Sequence, residues 1–139
     1  MNKYNLKHSI YSSITILFSC FIVWVIYMAN TGQNNAIFQI VKETPYGDKI
    51  GHLLLFGLLT LVLNFGLMFK TFMNGKYLLG TVLVCIFVLI EETSQYWIPT
   101  RTFDGFDLLA DTLGILLFDF ISRKYHQLRS KRHVKPNNS

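Results

Sequence analysis

Charged residues are scarce in this chain, at 15% of 139 residues, whereas hydrophobic residues make up 51%. A soluble domain of this size would lack the polar surface it needs, so the composition favours a membrane protein with room for one domain. Cysteine is also rare: Cys20 and Cys85 each lie within an apolar run and have no CxxC spacing. They are predicted to be buried reduced thiols, and neither a disulfide nor a metal pair has support.

Four apolar segments predict an all-α membrane protein, with four transmembrane helices in a compact antiparallel bundle that forms a single domain over residues 1–139. Each has roughly the 20 residues that are needed to cross the hydrocarbon core. The predicted helices cover about 10–29, 50–69, 77–97 and 105–121, followed by a polar basic tail, 122–139, that is frayed after about Tyr125. The first is too long for the core of a signal peptide and is predicted to be retained. The fourth contains Asp107, Asp111 and Asp119, so it inserts only if its acidic face turns toward the other helices.

Lysine and arginine are distributed unevenly over the predicted connections. Both tails and the middle loop together carry 10 of the 13, and the first and third loops carry the other 3, Lys42, Lys49 and Arg101. The positive-inside rule therefore predicts that both termini are cytoplasmic. Nearly all the acidic residues lie toward the opposite, outer face, which predicts an outward-facing polar site.

Polar residues share faces at the outer ends of three predicted helices. Their spacing of three or four residues is the spacing of neighbours on a helix surface. Because antiparallel helices bring these ends to the same depth, the residues are expected to converge. The candidate ligand-binding residues are Asp48, His52, Glu92, Gln95, Arg101, Asp104, Asp107 and Asp111.

Ordinary structural roles compete with this interpretation. Asp48 and Asp104 lie where helices begin, and either one alone fits an N-cap. Asp119 and Arg123 are spaced i, i+4 and predict a local ion pair. His52 fits either a packing role or a ring oriented by Asp48 one turn earlier. Capping does not explain Asp111, and ionisable groups within a membrane are functional by default, so a bound ligand, ion or reacting group is predicted.

The chemistry of the site stays open at this point. A metal site with His52 and carboxylates from three helices as ligands is one alternative. A single histidine without thiolates or an HExxH motif gives zinc little support, so no metal and no cofactor is predicted. No serine or cysteine is placed as a nucleophile beside His52, yet acid–base work by His52 and a contact from Arg101 to a phosphate or carboxylate head group both fit. The basic tail lies next to the membrane, which favours anionic lipid over nucleic acid. The predicted partners are membrane lipid and an amphiphilic or cell-wall-linked ligand, and the sequence does not indicate an oligomeric state.

Two elements of the chain resemble the VanZ-like family, small polytopic membrane proteins named for a teicoplanin-resistance factor. Asp48-Lys49-Ile50-Gly51-His52, followed by Phe56, is similar to the family's DKxxHxxxF element. The family's second element is matched by Glu92, Gln95, Pro99, Arg101, Asp104, Asp107, Asp111 and Gly114. The resemblance covers roughly Asp48 to Ile121, and it departs at Asp111, where the family usually has asparagine. It implies a multi-pass protein of the bacterial cytoplasmic (inner) membrane that, in some relatives, lowers sensitivity to lipid-linked glycopeptide antibiotics.

Three functional hypotheses follow. In the first, the outward-facing cluster binds a lipid head group, a cell-wall lipid intermediate or a lipoglycopeptide. In the second, the protein is a membrane-embedded hydrolase or transferase for a lipid-linked substrate, with His52 and Glu92 as acid and base. In the third, it is a structural accessory subunit whose charges hold the bundle together or dock a partner.

Overall fold

The structure, a computed structural model, describes residues 3–32 and 36–133, and it is 80% helical. Within these ranges the chain forms α-helices joined by short connections and one small hairpin. The elements are α1 (Lys3–Asn30), α2 (Ala36–Glu43), α3 (Gly47–Gly66), β1 (Thr71–Phe72), β2 (Tyr77–Leu78), α4 (Leu79–Ser94) and α5 (Gly105–His133). A 3₁₀ turn, Gln95–Trp97, extends α4.

Three helices are long and apolar enough to cross a membrane, over Leu6–Asn30, Gly47–Gly66 and Leu79–Trp97. Many of their large apolar side chains are exposed, such as Leu17 and Ile90. An apolar surface of this extent is stable in lipid but not in water. The chain is therefore an α-helical membrane protein. The helix predicted as the fourth span, α5, is not among the three because it carries three aspartates within one span length.

The central helix is α3, which packs against α1, α4 and α5. The core consists of six buried side chains, Ile22, Phe56, Leu59, Val84, Val88 and Ile115. Gly57 and Gly114 lie where α3 passes closest to α5. A Cβ atom at Gly57 would overlap the ring of Phe118, and one at Gly114 would overlap the carbonyl group of Leu53. Small residues at these two positions let the helix backbones approach closely, as is common between membrane helices.

The ends of the helices are tied together by two polar groups of residues. One, at the start of α3 and α5, contains the candidate site. The other joins the end of α3 and the start of α4 to the middle of α5. Asn64 Nδ2 donates to Thr81 Oγ1 at 3.0 Å, and Thr81 Oγ1 donates to Asp119 Oδ1 at 2.5 Å. Arg123 Nε donates to Asp119 Oδ2 at 2.6 Å. The predicted ion pair of Asp119 and Arg123 is confirmed, and it belongs to a network of three helices.

The predicted boundaries of the second and third spans are wrong by a few residues. α3 ends at Gly66 and not at residue 69, since Met68 and Phe69 have φ angles of 52° and 58°, in the left-handed region. The hairpin β1–β2 follows, pairing Thr71 with Leu78. It occupies the start of the predicted third span, so α4 begins at Leu79.

Both terminal helices are longer than predicted. α5 continues to His133, so the prediction of a frayed tail after Tyr125 is wrong for residues 126–133, and residues 134–139 lie outside the described part of the chain. The basic segment between Ser122 and His133 has no glycine or proline and is rich in good helix formers, which explains its helical conformation. In the same way α1 begins at Lys3 and not near residue 10.

Two smaller predictions also fail. The connection between the first two spans was predicted to be a loop, but it contains the helix α2. Residues 33–35 of this connection lie outside the described part of the chain. Cys20 and Cys85 are exposed, so the prediction of buried thiols is wrong. Both cysteines lie on the outer surfaces of membrane helices, where a thiol faces lipid without being covered by other helices.

Candidate functional site

The innermost part of the site is a histidine between two carboxylates, each from a different helix. His52 lies in the second turn of α3, Glu92 near the end of α4, and Asp111 two turns into α5. His52 Nδ1 is 3.0 Å from Asp111 Oδ1 and 3.6 Å from Glu92 Oε1. The side chains are 12%, 2% and 0% exposed for His52, Glu92 and Asp111. The predicted convergence of three helix ends is thus present in the structure.

The sequence predicted that Asp48 orients the His52 ring, but in the structure the carboxylate that pairs with the ring is that of Asp111. Asp48 lies in the first turn of α3, and its side chain is 62% exposed, 3.5 Å from Lys49 Nζ. It therefore stays near the surface, whereas Asp111 is held against α3 by the close packing of the two helices. The contact between Nδ1 of His52 and Asp111 Oδ1 orients the ring, and in the tautomer with the proton on Nδ1 that nitrogen donates to the carboxylate.

Lys49 joins the start of α3 to the start of α5. Its Nζ atom is 2.5 Å from Asp104 Oδ2 and 2.7 Å from Asp107 Oδ1. Asp104 Oδ1 also accepts a hydrogen bond from the backbone N–H of Phe106 at 2.9 Å, so the N-cap role considered for Asp104 is confirmed. The ammonium group of Lys49, together with this N–H, lowers the pKa of Asp104. The sequence reasoning missed Lys49, although its position three residues before His52 places both on neighbouring parts of one helix face.

Gln95 and Glu91 form a second layer beside Glu92. Gln95 Nε2 donates to Glu91 Oε1 and Oε2 at 3.2 and 3.1 Å, and to Glu92 Oε1 at 3.3 Å. Arg101 Nη2 lies 3.6 Å from Glu91 Oε1. Glu91 was not among the predicted site residues, even though its i, i+4 spacing to Gln95 was a usable signal.

A cavity of about 610 Å³ opens beside these groups. Its polar end is lined by charged and histidine side chains, Asp48, His52, Glu91, Arg101 and Asp107. Apolar side chains of α1 and α3 line the remainder, among them Phe21, Trp24, Val25, Met28, Leu54 and Leu55. The volume lies in the range of sites for small ligands, and the lining matches a molecule with a polar head and an apolar body.

Four buried side-chain oxygens of the candidate site residues have no hydrogen-bond donor among the described residues. They are Glu92 Oε2, Gln95 Oε1, Asp107 Oδ1 and Asp111 Oδ2. Asp107 Oδ1 is nevertheless 2.7 Å from Lys49 Nζ, so its charge is compensated even though the angle is poor for a hydrogen bond. The other three oxygens lack such compensation, and buried polar atoms without a partner are uncommon in folded proteins.

A family model described as VanZ/LLP1 matches residues 4–123 of the chain. The chain is also similar to an uncharacterized protein of Schizosaccharomyces pombe, C11E3.10, with 36% identity over 114 residues. This alignment covers 81% of the chain and 65% of the yeast protein, so the chain spans less than two thirds of that relative. No solved structure matches the chain.

Proposed function

The chain belongs to the VanZ/LLP1 family, and we propose that it binds an amphiphile, with the polar head at the His52 cluster and the apolar part along α1 and α3. The observation that carries this proposal is the cavity of about 610 Å³, which is charged at one end and apolar along the rest. A water-soluble ligand would leave the apolar walls without contacts, and a purely apolar ligand would leave the charged end without partners.

The polar end offers both donors and acceptors to a head group. Arg101, whose side chain is 18% exposed, supplies the donors that suit a phosphate or carboxylate. Asp48 and Asp107 supply acceptors for hydroxyl or amino groups. A membrane lipid head group, a cell-wall lipid intermediate and a lipoglycopeptide all combine such groups with a hydrocarbon chain.

We also propose that α5 is the fourth membrane span. Its large exposed side chains are apolar over the length of a span, Phe106, Leu109, Leu113, Leu116, Leu117, Phe120 and Ile121. Asp107 and Asp111, by contrast, are buried against the other helices. With 29 residues, α5 is about 44 Å long and exceeds the hydrocarbon core by several turns, which leaves its basic end beyond the membrane.

With four spans, the distribution of basic residues puts both termini and the hairpin in the cytoplasm and the polar cluster at the outer leaflet. Reporter fusions at Gly75 and Ser139 should then be cytoplasmic, and one at Asn35 extracytoplasmic; Asn35 and Ser139 lie outside the described residues. An extracytoplasmic reporter at Ser139 would contradict both the four spans and the outward-facing site.

Gly51 provides the sharpest test of amphiphile binding. It lines the cavity, and a Cβ atom there would meet nothing within 4 Å, so Gly51→Leu should place a side chain in the cavity without a clash. Gly105→Leu is the matched control, because Gly105 is equally unobstructed but does not line the cavity. The measurement is photocrosslinking of the purified protein in nanodiscs with a phospholipid that carries a diazirine in its acyl chain.

In wild type and Gly105→Leu, crosslinks are expected on cavity residues such as Trp24 and Leu55, and in Gly51→Leu they should fall at least tenfold at these residues. Crosslinks at the outer surfaces of the helices, for example at Leu17, should stay the same in all three proteins. Equal cavity crosslinking in Gly51→Leu and wild type would rule out an amphiphile in this cavity.

The cellular role we propose is that of a bacterial cytoplasmic membrane protein whose bound amphiphile is a lipid head group, a cell-wall lipid intermediate or a lipoglycopeptide. Expression in a susceptible bacterial host should then lower its sensitivity to teicoplanin-type antibiotics, and Gly51→Leu should abolish this effect while Gly105→Leu retains it. A host whose sensitivity does not change would limit the proposal to lipid binding.

The pairing of His52 with Asp111 favours a second candidate, a hydrolase or transferase for a lipid-linked substrate. The carboxylate orients the ring through Nδ1, which is how histidine is prepared for general acid–base work. Glu92 supplies a second group for proton transfer 3.6 Å from the same nitrogen. Release of a soluble head group from a crosslinkable lipid by wild type, but not by His52→Gln, would establish the enzyme.

A further inference from the structure

The negative charges of Glu92 and Asp111 have no lysine or arginine near them among the described residues. Lys49 and Arg101 are already occupied by other acids at the cavity. Both carboxylates are buried, and the basic group nearest to them is His52. Two carboxylates enclosed in an apolar bundle repel each other and are strongly destabilised as charged groups, so a positive partner is expected at this position.

Unpaired oxygens around His52 point to the same conclusion independently of charge. Glu92 Oε2, Asp111 Oδ2 and Gln95 Oε1 belong to side chains that are at least 98% buried, and no donor among the described residues reaches them. Gln95 has its nitrogen turned toward Glu91 and Glu92, which leaves its carbonyl oxygen free to accept. An acidic patch in water would not leave three buried acceptors without a donor.

We propose that His52, Glu92 and Asp111 bind a divalent cation. One donor atom from each residue can be chosen so that all three lie within 4.8 Å of one another. Two donors at about 2.1 Å from an ion are about 3.0 Å apart at right angles and about 3.6 Å apart at 120°. The distances from His52 Nδ1 to Asp111 Oδ1 and Glu92 Oε1, 3.0 and 3.6 Å, match this geometry.

The donor types define the class of cation. One imidazole nitrogen and two carboxylate oxygens suit Mn²⁺ or Zn²⁺. Ca²⁺ and Mg²⁺ are less suited, because they prefer oxygen ligands throughout.

A second set of three residues, Asp48, His52 and Asp107, also brings donor atoms within 4.8 Å of one another. It fits a cation less well. Asp107 is already paired with Lys49, whose ammonium group would repel a metal ion, and Asp48 is exposed to water. The buried set therefore has the stronger need for a cation.

A cation at this position would also change the electrostatics of the cavity. It would offset the excess of carboxylates at the polar end, so that an anionic head group could approach His52 and Arg101. This consequence depends on the proposed binding of an amphiphile, whereas the cation site itself does not.

The test is a titration of the purified full-length protein with MnCl₂ after removal of metals by EDTA, without added lipid. Free Mn²⁺ is measured by electron paramagnetic resonance, and the titration is repeated with Zn²⁺ as competitor. We expect one saturable Mn²⁺ per chain and a higher unfolding temperature with the metal. Glu92→Gln and Asp111→Asn should each weaken binding at least tenfold, and Asp119→Asn, which removes a carboxylate near the middle of α5, should not.

A spectroscopic signature separates direct coordination from an indirect effect. Pulsed measurements on bound Mn²⁺ should show modulation from one imidazole nitrogen, and His52→Gln should remove it. Because each variant is first shown to unfold cooperatively without metal, a folding defect is distinguished from a lost ligand. Failure of wild type to bind either Mn²⁺ or Zn²⁺ saturably, or full binding by the Glu92→Gln/Asp111→Asn double variant, would refute the cation site. Amphiphile crosslinking would be unaffected by that result and tests the proposed function separately.

Discussion

Lys49→Met should destabilise the protein through the buried carboxylate of Asp107. Methionine keeps most of the volume of the lysine stem but removes the ammonium group that lies 2.7 Å from Asp107 Oδ1. The Asp107 side chain is 6% exposed, and this ion pair is the compensation for its charge within the described contacts. Removing one member of a buried ion pair costs about 3–5 kcal/mol.

The expected loss is smaller than that limit. Lys49 is 30% exposed, so water can reach part of the vacated position, and the pair with Asp104, which is 38% exposed, resembles a surface ion pair. We therefore expect the free energy of unfolding to fall by about 2–3 kcal/mol, intermediate between surface and buried pairs. For a chain of this length that corresponds to a decrease in Tm of roughly 8–12 °C.

Thermal unfolding in one detergent, followed by the helical circular dichroism signal, measures this loss. Asp107→Asn in the Lys49→Met background should restore most of the Tm, since it removes the orphaned charge. Lys70→Met, which replaces an exposed lysine beside the hairpin, is the control and should leave Tm within about 2 °C, as surface substitutions do. A Tm of Lys49→Met close to wild type, or no rescue by Asp107→Asn, would refute the reasoning.

The remaining predictions concern pH, packing and coupling. Because Lys49 lowers the folded-state pKa of Asp104, their pairing stabilises the protein above the ordinary pKa of 3.8, and this contribution is lost as pH falls through the lower folded value. Lys49→Met lacks this contribution at every pH, so the Tm difference between wild type and Lys49→Met should be largest near neutral pH and should shrink in acid. Gly114→Val should destabilise by about 2–3 kcal/mol in the same thermal assay, because its side chain would overlap a backbone carbonyl of α3 that cannot rotate away. Thr81→Val, which removes the partner of Asn64 Nδ2 and of Asp119 Oδ1, should cost roughly 1–3 kcal/mol. His52→Ala and Glu92→Gln should lower the crosslinking yield non-additively, with an interaction free energy of at least about 0.5 kcal/mol when the ratios of yields are converted to free energies. The effect of Leu116→Ala should be additive with that of either substitution.

The local properties of the chain were predictable from the sequence. Hydropathy depends only on neighbouring residues, so the three apolar spans were found with boundaries wrong by a few positions. The hairpin was missed because the apolar run that begins at Tyr77 was assigned to the third span, although Asn74-Gly75, with positive φ angles at both residues, is a turn signal. The helical part of the basic tail was missed because charge was taken as a sign of fraying, although the same residues are good helix formers.

The composition of the candidate site was predicted in part. Helical spacing grouped seven of the eight candidate residues, all but Arg101, at one end of the fold, and contacts around His52 and Lys49 join several of them there. The roles within the cluster were less accessible. Lys49 was not selected as a site residue, because a lysine at the start of a span is usually an interfacial residue. Its ion-pair partners Asp104 and Asp107 are at least 55 residues away in the chain, so the local sequence around Lys49 does not indicate them.

By itself, the sequence determined the membrane environment, the apolar helices and the end of the fold at which the acids collect, because each follows from composition and short-range periodicity. Only the tertiary structure decided that Asp111 and not Asp48 pairs with His52, and that α1 closes an apolar wall beside them. These choices depend on how far each helix is rotated and how closely it packs. That geometry is set by Gly57 and Gly114, where the absence of side chains brings α3 and α5 into backbone contact.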